Sequence, residues 1–503
     1  MKNLANQDIL VLGLGASGLA LARWCARCGA RVTVADTRPA PPQLAALRST
    51  MPNARFVNAA MDGELLNGEN FNLLLKSPGL SPASISGVVS AARAQGIACG
   101  NELSLFAQGL ADLKEDRGYV PKLIGITGTN GKTTVTSLTG QLVECAGKRV
   151  AVAGNIGPTL LDTLAEKLDA QAHDEAVALP DVWVLELSSF QLDGVTNFEP
   201  DVATVLNISQ DHLDWHETLP AYASAKANVY GKAALMLLNR DDPQVMAALP
   251  APAKGRQTRN YLTFGGDEPH RSGDYGIQTV NGMAWLVRAA EADETIKRRK
   301  AEEVALYIQR LMPLEALRIH GRHNATNALA ALGLAVAVGC PLAPMLHGLR
   351  EYRGEPHRVE SVAVLEGVEY FDDSKGTNVG ATVAALAGLG ADRKLVLILG
   401  GEGKGQDFSP LAEPVARYVR AVVLIGRDAP LIRAALQGGQ VELMEAASME
   451  QAVSLAAAQA RAGDAVLMSP ACASFDMFDN YEHRARVFCE AVQELAVEQG
   501  AVL

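Results

Sequence analysis

The segment GITGTNGKTT at residues 125–134 most constrains what this chain can fold into. It joins an apolar, strand-like run, KLIGIT at 122–127, to a stretch with the composition of a helix. Glycines in such a turn let backbone N–H groups approach an anion closely, and the start of the following helix favours negative charge. The segment therefore predicts an α/β domain that binds a phosphate. The alternative is a glycine-rich turn with an incidental lysine.

The side chains of this segment suit a nucleoside triphosphate. Lys132 is placed to reach the β and γ phosphates, and the Thr133 hydroxyl is placed to hold Mg²⁺. The strict motif has a glycine five places before Gly131, where this chain has Ile126. The residues expected to form the phosphate site are Gly128, Thr129, Asn130, Gly131, Lys132, Thr133 and Thr134.

Residues 1–100 alternate short apolar runs with helical stretches, which predicts a parallel sheet built from βαβ units. The first turn has the pattern Gly13-x-Gly15-x-x-Gly18, and Asp36 closes the second apolar run. This is the fingerprint of a dinucleotide-binding fold, in which glycines let the backbone approach a ligand closely. The pattern indicates a nucleotide-like ligand near a helix start. It does not by itself indicate NAD.

Two further blocks repeat the alternation. Residues 101–355 contain the runs KLIGIT, VWVLELS and DVATVLNIS, and residues 356–503 contain KLVLILGG, AVVLIGR and DAVLMSPA. The predicted fold class is therefore α/β, with three domains in tandem: a Rossmann-like first domain, a central phosphate-loop domain and a Rossmann-like third domain. The charged segment 291–311 is predicted to be an amphipathic helix with a solvated face and no chemical role.

Polar residues follow the apolar runs of the central block, and the carboxyl ends of parallel strands meet at one edge of a sheet. Glu186 lies where an acid that serves ATP-bound Mg²⁺ is expected. His212 follows the next run, four residues before His216. A zinc pair is the weaker alternative because no third ligand is in view, and a structural role is favoured for His216. From composition alone, Lys226 in YASAKANVY is interpreted as a surface lysine.

Charge and cysteine usage narrow the class of protein. The formal net charge of −11 argues against a nucleic-acid-binding protein, which normally has a basic face. The seven cysteines are scattered, so no disulfide framework is predicted, and Cys25 and Cys28 are expected to fill a buried helix face.

Glycines or prolines interrupt the apolar stretches at 9–22 and 328–346. We therefore expect no signal peptide and no membrane span, and a cytoplasmic protein.

Motifs spread in order along essentially the whole chain resemble the Mur ligases, the ATP-dependent amide ligases that assemble the peptide stem of peptidoglycan. The matching segments are GITGTNGKTT, GNIG, ELSSFQLD, DHLDWH, YASAKANVY, GRHNATNALAA, PHRVE, DDSKGTNVGAT, GGEGKGQDFSPL and SPACASFDMFDNYEHR. The last two resemble those of members that add D-glutamate to UDP-N-acetylmuramoyl-L-alanine. The D-N-P-R and GKGHE elements expected of diaminopimelate-adding members are absent. Departures from the family pattern are Gly376, where alanine is expected at least as often, and the long segment 291–311.

The resemblance implies a role for each domain. The first domain would bind the uridine diphosphate of the acceptor, the central domain ATP, and the third the incoming amino acid. ATP would phosphorylate the L-alanine carboxylate to an acyl phosphate, which the amine of D-glutamate attacks. The protein would mainly position groups and neutralise charge. We expect small-molecule partners only, with no nucleic acid and no membrane, and a monomer.

Site residues follow from the family by position. In the family, CO₂ carbamylates the lysine at position 226, which turns a cation into a carboxylate-like metal ligand. The catalytic residues implied are Lys132, His212 and Lys226, and the metal ligands implied are Thr133, Glu186, His212 and Lys226. The contacts implied for ATP beyond the phosphate loop are Asn324, Asn327, His357, Arg358 and Asp373. The contacts implied for D-glutamate are Lys375, Thr377, Lys404, Ser474 and Phe475. Those implied for uridine are Ser17, Asp36 and Thr37, and those for the muramoyl group are Asn155, Ser188 and Gln191.

Three other functions compete with this interpretation. Another amide ligase, such as a folylpolyglutamate synthase or a different Mur enzyme, is the nearest, although the uridine-type first domain disfavours the folate enzyme. A regulatory ATPase leaves the two lysine-bearing loops of the third domain without a role. An NAD oxidoreductase fits the first-domain fingerprint but leaves the G-K-T-T motif idle.

Overall fold

The computed structural model describes residues 4–251, 259–291, 306–319, 321–391 and 393–499. Within these residues, three mainly parallel α/β sheets follow one another along the chain, and a small antiparallel sheet lies beside the second. The α/β class and the three-domain architecture predicted from the sequence are confirmed. The boundaries at residues 100 and 355 stay predictions.

The first domain is a parallel sheet with helices on both faces. Its elements are β1 (Asp8–Leu12), α1 (Ala16–Arg27), β2 (Arg31–Asp36), α2 (Leu44–Thr50), β3 (Arg55–Asn58), β4 (Leu73–Lys76), α3 (Ser86–Ala94), β5 (Ala98–Asn101) and α4 (Glu102–Arg117). The strand order is β3-β2-β1-β4-β5. Alternate residues of β1 pack on opposite faces: Ile9 and Val11 lie in the core with α1 and α4, and Leu10 and Leu12 in the core with α3. Burial on both faces explains why this strand is an unbroken apolar run.

The central domain contains the phosphate-loop motif. Its elements are β6 (Lys122–Thr127), α5 (Lys132–Cys145), β7 (Val150–Gly154), α6 (Leu160–His173), β8 (Val182–Glu186), α7 (Ser189–Leu192), β9 (Val202–Val205), α8 (Leu213–His216), α9 (Leu219–Ala227), β10 (Leu235–Asn239), α10 (Pro243–Met246), β11 (Tyr261–Phe264), β12 (Tyr275–Val280), β13 (Met283–Glu291), β14 (Leu306–Pro313), α11 (Arg322–Ala337) and α12 (Leu342–Glu351). The parallel sheet has the order β11-β10-β9-β6-β8-β7. Helices α5 and α11 pack on one face, and α6 packs on the other.

The first and central domains share one apolar core. Helix α4 joins them, and the ring of Phe106 in α4 lies edge-on to Trp183 in β8 with the ring centroids 5.1 Å apart. A Cβ on Gly109 would lie 3.0 Å from the Trp24 side chain of α1, so a larger residue would require that ring to shift. Apolar side chains of the first and central domains therefore pack directly against one another.

The helix predicted for residues 291–311 is wrong where the structure describes it. Residues 306–311 belong to β14, which pairs antiparallel with β13, and residues 292–305 lie outside the described residues. The charged pattern resembled a solvated helix face. Pairing with the preceding strand β13 overrode this pattern, as where Val287 lies opposite Arg310. The sequence pattern also missed the small sheet β12-β13-β14 altogether.

The third domain is a sheet with the order β15-β16-β20-β17-β18-β19, antiparallel only between β15 and β16. Its elements are β15 (Glu360–Leu365), β16 (Val368–Asp372), α13 (Val379–Leu389), β17 (Leu395–Gly400), α14 (Ala412–Tyr418), β18 (Val419–Ile425), α15 (Ala429–Leu436), β19 (Glu442–Glu445), α16 (Met449–Gln459), β20 (Ala465–Met468) and α17 (Tyr481–Glu498). Helices α13, α14 and α15 pack on one face and α16 and α17 on the other. This is the doubly wound arrangement predicted for the third block.

The apolar stretch 328–346 is divided between two helices. Helix α11 ends at Ala337, Gly339 has a φ of +84°, and α12 starts at Leu342, close to where the glycine and prolines predicted a break. No helix in the described part of the chain is long and apolar enough to cross a membrane.

Candidate active site

The phosphate loop connects β6 to α5, as predicted, and its glycines are required by its geometry. Gly131 precedes the helix with a φ of +81°, a conformation that side chains disfavour. A Cβ on Gly131 would also lie 2.8 Å from Oδ1 of Asn327 in α11. The loop is therefore packed directly against a residue expected to contact the nucleotide. The N–H groups of the first turn of α5 have no partner within the helix and face the position of an anion.

Asn207, which the sequence analysis did not select, holds this loop in place. Its carbonyl accepts a 2.9 Å hydrogen bond from Thr129 N, and its Oδ1 accepts one of 2.8 Å from Asn130 N. Its side-chain amide donates back to the carbonyl of Asn130 at 3.1 Å. The N–H of Asn130, expected to face a phosphate, is thus donated to Asn207 in this structure. An asparagine directly after a buried strand is the signal that could have found it.

Lys132 folds back over the loop. Its Nζ donates to the carbonyls of Gly128 and Thr129 at 2.9 and 2.8 Å. Loss of water around the amine lowers its pKa, while the carboxylates of Glu186 and Asp211 act in the opposite direction. The Lys132 ammonium therefore lies against the phosphate loop and donates to two of its carbonyls. Phosphate oxygens could accept these hydrogen bonds in place of the carbonyls.

Lys226 is buried, which corrects the interpretation of a surface lysine. It is only 1% exposed, its Nζ donates to Gly128 O at 2.8 Å, and it lies 4.4 Å from the centroid of the Tyr222 ring. Burial lowers the pKa of this amine well below its usual value, and the nearby charge of Lys132 lowers it further. A lysine in this environment has a larger neutral fraction than a solvated one.

Acidic and imidazole groups lie beside the two lysines. Glu186, at the end of β8, is 3% exposed, and its Oε1 accepts a 3.0 Å hydrogen bond from the Asn155 amide. His212 has a φ of +54° at the start of α8, and burial lowers its pKa, which leaves the ring neutral at neutral pH. Asp211, which was not selected from the sequence, opposes that shift. The polar ends of β6, β8 and β9 therefore converge as predicted.

His216 has the structural role favoured for it. Its Nε2 lies 2.9 Å from the Ser189 hydroxyl, and its ring stacks on Phe190 with the centroids 5.7 Å apart. Among the residues the structure describes, His212 and His216 do not form a cluster with a third His, Cys, Asp or Glu ligand. The zinc alternative therefore has no support in the described chain.

A pocket between the central and third domains brings together most of the residues expected to bind ATP. It is lined from the phosphate loop, from α11, from the linker that follows α12, and from the start of α13. The lining includes Asn130, Gly131, Thr134, His323, Asn324, Asn327, Arg358, Asp373, Lys375 and Gly376. The expected ATP residues that do not line it are Gly128, Thr129, Lys132, Thr133 and His357. His357 Nδ1 faces Asp372 Oδ2 at 2.6 Å.

Asp373 and Gly376 form a tightly packed turn at this pocket. The Asp373 Oδ2 accepts a 2.6 Å hydrogen bond from the Ser469 hydroxyl, and burial raises the pKa of this carboxyl to about 7. A Cβ on Gly376 would lie 2.6 Å from the same Oδ2. The glycine found here, where the family pattern also allows alanine, therefore suits a turn folded closely onto Asp373.

The loops expected to bind the amino acid meet at the same edge. Lys375 lies with its Nζ 3.6 Å from the centroid of the Tyr481 ring, and burial lowers its pKa to about 8. Lys404 is exposed, has a φ of +52°, and is close enough to His212 to lower the pKa of that ring. Thr377 is half-buried, Ser474 is 3% exposed and Phe475 is 66% exposed. Two cations thus face the phosphate site from the third domain.

Comparison with known proteins identifies the family. Family models match residues 7–100 (Mur ligase MurD-like, N-terminal domain), 126–335 (Mur ligase middle domain) and 357–472 (Mur ligase, glutamate ligase domain). The UDP-N-acetylmuramoylalanine–D-glutamate ligase of Albidiferax ferrireducens is 65% identical over 505 residues, covering 100% of this chain and 99% of that protein. The chain belongs to the Mur ligase family. A relative of the same name from Polaromonas sp. is 60% identical and covers 100% of both chains.

The fold agrees with this membership. The MurF ligase of Thermotoga maritima, solved in complex with ADP, aligns with a TM-score of 0.57 at 16% identity, covering 98% of this chain and 97% of that chain. At 16% sequence identity, this structural similarity supports a shared architecture and nothing more specific. As a Mur ligase, this chain is an ATP-dependent enzyme that forms an amide bond in peptidoglycan synthesis.

In this Mur ligase the first-domain fingerprint is rigid. Gly13 has a φ of +83°, and a Cβ on Gly18 would lie 2.0 Å from the Gly13 carbonyl, so helix α1 approaches the turn closely. The Asp36 carboxylate accepts hydrogen bonds from Leu14 N at 2.8 Å and from the Arg38 guanidinium, which lowers its pKa to about 2. This acid therefore fixes the turn. The structure places Ser17 half-buried at the start of α1 and Thr37 exposed beside Asp36.

Two of the residues expected at the muramoyl group, Ser188 and Gln191, lie in a turn that contacts the first domain. Ser188 and Gln191 cap α7 reciprocally: Ser188 N donates to Gln191 Oε1 at 3.0 Å, and Gln191 N donates to the Ser188 hydroxyl at 3.2 Å. Asn101, at the end of β5, donates to the Gln191 carbonyl at 2.9 Å. This turn is thereby connected to the first domain.

Of the two cysteines expected to fill a buried face of α1, Cys25 does so and Cys28 lies just beyond the end of the helix. Cys25 is fully buried in the shared core, and burial raises the pKa of its thiol to about 12. Cys28 is half-buried, and both are free. The C-x-x-C pair is therefore a packing feature.

Proposed function

We propose that this chain joins D-glutamate to UDP-N-acetylmuramoyl-L-alanine, with ATP converted to ADP and phosphate, in cytoplasmic synthesis of the peptidoglycan precursor. The observation that carries the proposal is the full-length similarity, 65% identity over 505 residues, to a ligase named for this reaction. The site supports it, because a phosphate loop and two lysine-bearing loops of the third domain face one another. We propose that the enzyme acts as a monomer.

The chemistry explains the need for ATP. A carboxylate is a poor electrophile at neutral pH because its oxygens carry the negative charge. Transfer of the γ-phosphoryl group to the L-alanine carboxylate gives an acyl phosphate and ADP. The neutral amine of D-glutamate then attacks the carbonyl carbon and forms a C–N bond in a tetrahedral intermediate. The C–O bond to phosphate breaks, phosphate leaves with its electron pair, and the nitrogen loses a proton to solvent to give the amide. Catalysis of such a sequence consists mainly of positioning and charge neutralisation.

The residues of the phosphate loop and its pocket would bind ATP. Lys132 exchanges its two carbonyl partners for phosphate oxygens and opposes the charge that develops during transfer. Arg358 supplies a second cation beside Thr133. The further contacts proposed for ATP are Gly128, Thr129, Asn130, Gly131, Thr134, Asn324, Asn327, His357 and Asp373.

Mg²⁺ is a hard cation that prefers oxygen ligands, and Thr133, Glu186 and a carbamylated Lys226 offer oxygens. We assign Thr133 and Glu186 as the residues that would hold one Mg²⁺, and His212 and carbamylated Lys226 as those that would hold a second; when bound, Mg²⁺ supplies positive charge to the phosphate oxygens. A buried carboxylate at Glu186 and a buried amine at Lys226 lie around one loop. Carbamylation suits Lys226 because burial favours the neutral amine that captures CO₂, and the product is an anionic oxygen donor.

The remaining substrate contacts follow from the same placement. Lys375 and Lys404 suit an amino acid that carries two carboxylates, because each ammonium can pair with one of them. Thr377, Ser474 and Phe475 complete the proposed D-glutamate site. The proposed contacts of the UDP-sugar are Ser17, Asp36, Thr37, Asn155, Ser188 and Gln191.

Phosphate release with defined substrates tests the function. The purified enzyme with ATP and Mg²⁺ should release phosphate only when UDP-N-acetylmuramoyl-L-alanine and D-glutamate are both present. A panel with L-glutamate, L-lysine and diaminopimelate should give little release. Preference for another amino acid would assign the chain to a different member of the family, and release without any amino acid would support a regulatory ATPase.

Calorimetry tests the first domain separately. The full-length enzyme should bind UDP-N-acetylmuramoyl-L-alanine and give no heat with NAD. Tight NAD binding would support the oxidoreductase alternative, since the glycine fingerprint by itself is compatible with a dinucleotide.

A further inference from the structure

Arg484 in α17 is a buried charge held mainly by hydrogen bonds to neutral groups. Its side chain is 0% exposed, and within the described residues its guanidinium forms no salt bridge. Instead, its Nε donates to the Ser374 hydroxyl at 3.0 Å, its Nη2 to the Ser374 carbonyl at 2.8 Å, and its Nη1 to the Cys472 carbonyl at 3.0 Å. Burying a charge is costly unless hydrogen bonds compensate for lost water. The hydrogen bonds that compensate come from two loops, and the charges of Asp476, Asp372 and Asp373 also favour the charged guanidinium.

Those loops carry the residues expected to bind the amino acid. Ser374 lies in the turn after β16, between Asp373 and Lys375, and Cys472 lies in the segment after β20, two residues before Ser474. Strands β16 and β20 are parallel neighbours, so both loops leave the sheet at the same edge. Backbone pairing joins the strands only as far as their ends. Beyond them, the Ser469 hydroxyl joins the two loops through Asp373 Oδ2, and Arg484 joins them from a third segment, through Ser374 and Cys472.

The first turn of α17 supports the same loop by a second route. The Ser374 hydroxyl donates to the Tyr481 carbonyl at 2.8 Å, and the Tyr481 ring lies under the Lys375 ammonium at 3.6 Å. Tyr481 and Arg484 are three residues apart and therefore lie on one side of the helix. The first turn of α17 thus fixes the backbone at Ser374, next to Lys375, and its Tyr481 ring contacts the Lys375 ammonium.

The planar guanidinium suits this task in a way that an ammonium does not. Its N–H groups point in fixed directions and can reach a hydroxyl and two carbonyls from different segments at once. A lysine offers a single nitrogen, which cannot span the distance between the loops. Groups that bind a substrate must be held within a fraction of an ångström of the productive position. The bridge from Arg484 therefore affects the geometry of the two loops as well as the stability of the fold.

We propose that Arg484 is a positioning residue for the incoming amino acid, holding the Lys375 loop and the Ser474 loop at the separation that fits a dicarboxylic substrate. The inference rests on the proposed function, because it takes the amino-acid site to lie between these loops. Arg484 does not touch the substrate; it acts through Ser374 and Cys472.

The test compares steady-state kinetics of the full-length enzyme and three variants. Arg484→Lys and Ser374→Ala should each raise the KM for D-glutamate, by roughly 10- to 100-fold for Arg484→Lys and less for Ser374→Ala, because small misplacements of binding groups are costly. The KM for UDP-N-acetylmuramoyl-L-alanine should not change. Arg486→Lys, on the same helix and 63% exposed, is the matched control and should behave as the unsubstituted enzyme.

Chemical rescue separates positioning from folding. Guanidinium chloride at low, non-denaturing concentration should lower the KM for D-glutamate of Arg484→Ala, and NaCl at equal ionic strength should not. If Arg484→Ala does not fold, Arg484→Lys and Ser374→Ala carry the test. Unchanged D-glutamate KM values in both, or an equal rise for every substrate, would overturn the inference while leaving the function intact. Absence of D-glutamate-dependent phosphate release by the unsubstituted enzyme would overturn both.

Discussion

The Arg358 guanidinium donates a 2.6 Å hydrogen bond from Nη2 to the Thr133 hydroxyl, and this contact joins the start of the third domain to the phosphate loop. The linker before β15 makes it possible by turning sharply: Gly354, His357 and Val359 have φ values of +93°, +63° and +52°. A positive φ is unusual for a β-branched residue such as Val359 and indicates a conformation held by its surroundings. Because Thr133 belongs to the phosphate loop, we expect the position of Arg358, and with it that of the third domain, to affect the binding of ATP.

Replacing Arg358 by methionine should therefore weaken ATP use. We expect the KM for ATP to rise by roughly 10-fold or more, since a hydrogen bond from a charged group contributes about 1.5–3 kcal/mol. Steady-state phosphate release with varied ATP measures the effect. Arg353→Met, an exposed arginine on the same linker, is the control. Equal ATP KM values for both variants would contradict the role of Arg358.

Lys132→Ala should abolish ligation while leaving the fold intact. The variant loses the cation that opposes the transferring phosphoryl group, for which we expect a fall in kcat of at least roughly 10²- to 10³-fold. Its thermal unfolding midpoint should match that of the unsubstituted enzyme, and Lys114→Ala on exposed helix surface should keep full activity. Near-normal turnover of Lys132→Ala would remove the basis for the ATP site.

Lys226 variants test carbamylation by the pattern of rescue. Lys226→Ala should be nearly inactive and should regain part of its activity with added acetate, a small carboxylate that can occupy the vacated position. Lys226→Arg should be neither active nor rescued, because a guanidinium does not carbamylate and fills the space. Activity is measured with and without acetate under CO₂-depleted conditions. Full activity of the alanine variant without any added acid would defeat this assignment.

Lys375 and Lys404 should act on the amino acid more than on ATP. Lys404→Met and Lys375→Met remove one ammonium each, and the KM for D-glutamate should rise far more than the KM for ATP, because a carboxylate of the substrate loses its partner. Initial rates with each substrate varied in turn give the comparison. Lys394→Met, a lysine at the opposite end of β17, serves as the control. An effect confined to ATP would contradict the D-glutamate site.

Glu102 should make stability fall as pH rises. It is 1% exposed at the start of α4, its Oε1 accepts a 3.1 Å hydrogen bond from Leu161 N, and burial raises its pKa from 4.5 to about 7. Between these two pH values the folded protein keeps a proton that the unfolded chain has lost. The carboxyl therefore lowers the free energy of unfolding as the pH increases through this range, by about 1.4 kcal/mol for each pH unit.

Glu102→Gln should remove this dependence, since the amide oxygen can still accept from Leu161 N and the side chain cannot ionise. The difference in thermal unfolding midpoint between about pH 5 and about pH 8 should be smaller in Glu102→Gln than in the unsubstituted enzyme. Glu115→Gln, an exposed carboxyl on the same helix, should leave the difference unchanged. Identical pH dependence in all three proteins would show that Glu102 is not a source of it.

Features encoded in neighbouring residues were predictable. The phosphate loop was found from Gly128 to Thr133 because a strand, a glycine-rich turn and a helix start follow one another in the chain. Three strands in each of the three large sheets were found from their apolar runs, and Glu186 from its place at the end of one. The helix predicted for 291–311 was wrong in its described part because β14 exists through pairing with β13, which no local pattern reports.

Other features depended on residues far apart in sequence. The burial of Lys226 required the loop at Gly128 to fold over it, and its composition alone suggested a surface lysine. Arg484 closes the family-like segment SPACASFDMFDNYEHR, and Asn207 follows a buried strand, but neither pattern reports which groups these side chains contact. Their roles arise from hydrogen bonds to loops that other elements bring near them.

The sequence by itself determined the α/β class, the order of the three domains and the residues of the phosphate loop. Each of these depends on the periodicity and spacing of residues that are close together in the chain. Only the tertiary structure decided which of those residues meet. The contact of Arg358 with Thr133 spans 225 positions, and the bridge from Arg484 to Ser374 spans 110. Such contacts, and the burial that shifts the pKa values of Lys226 and Asp373, exist only after the domains have packed, since desolvation is a property of the folded surroundings.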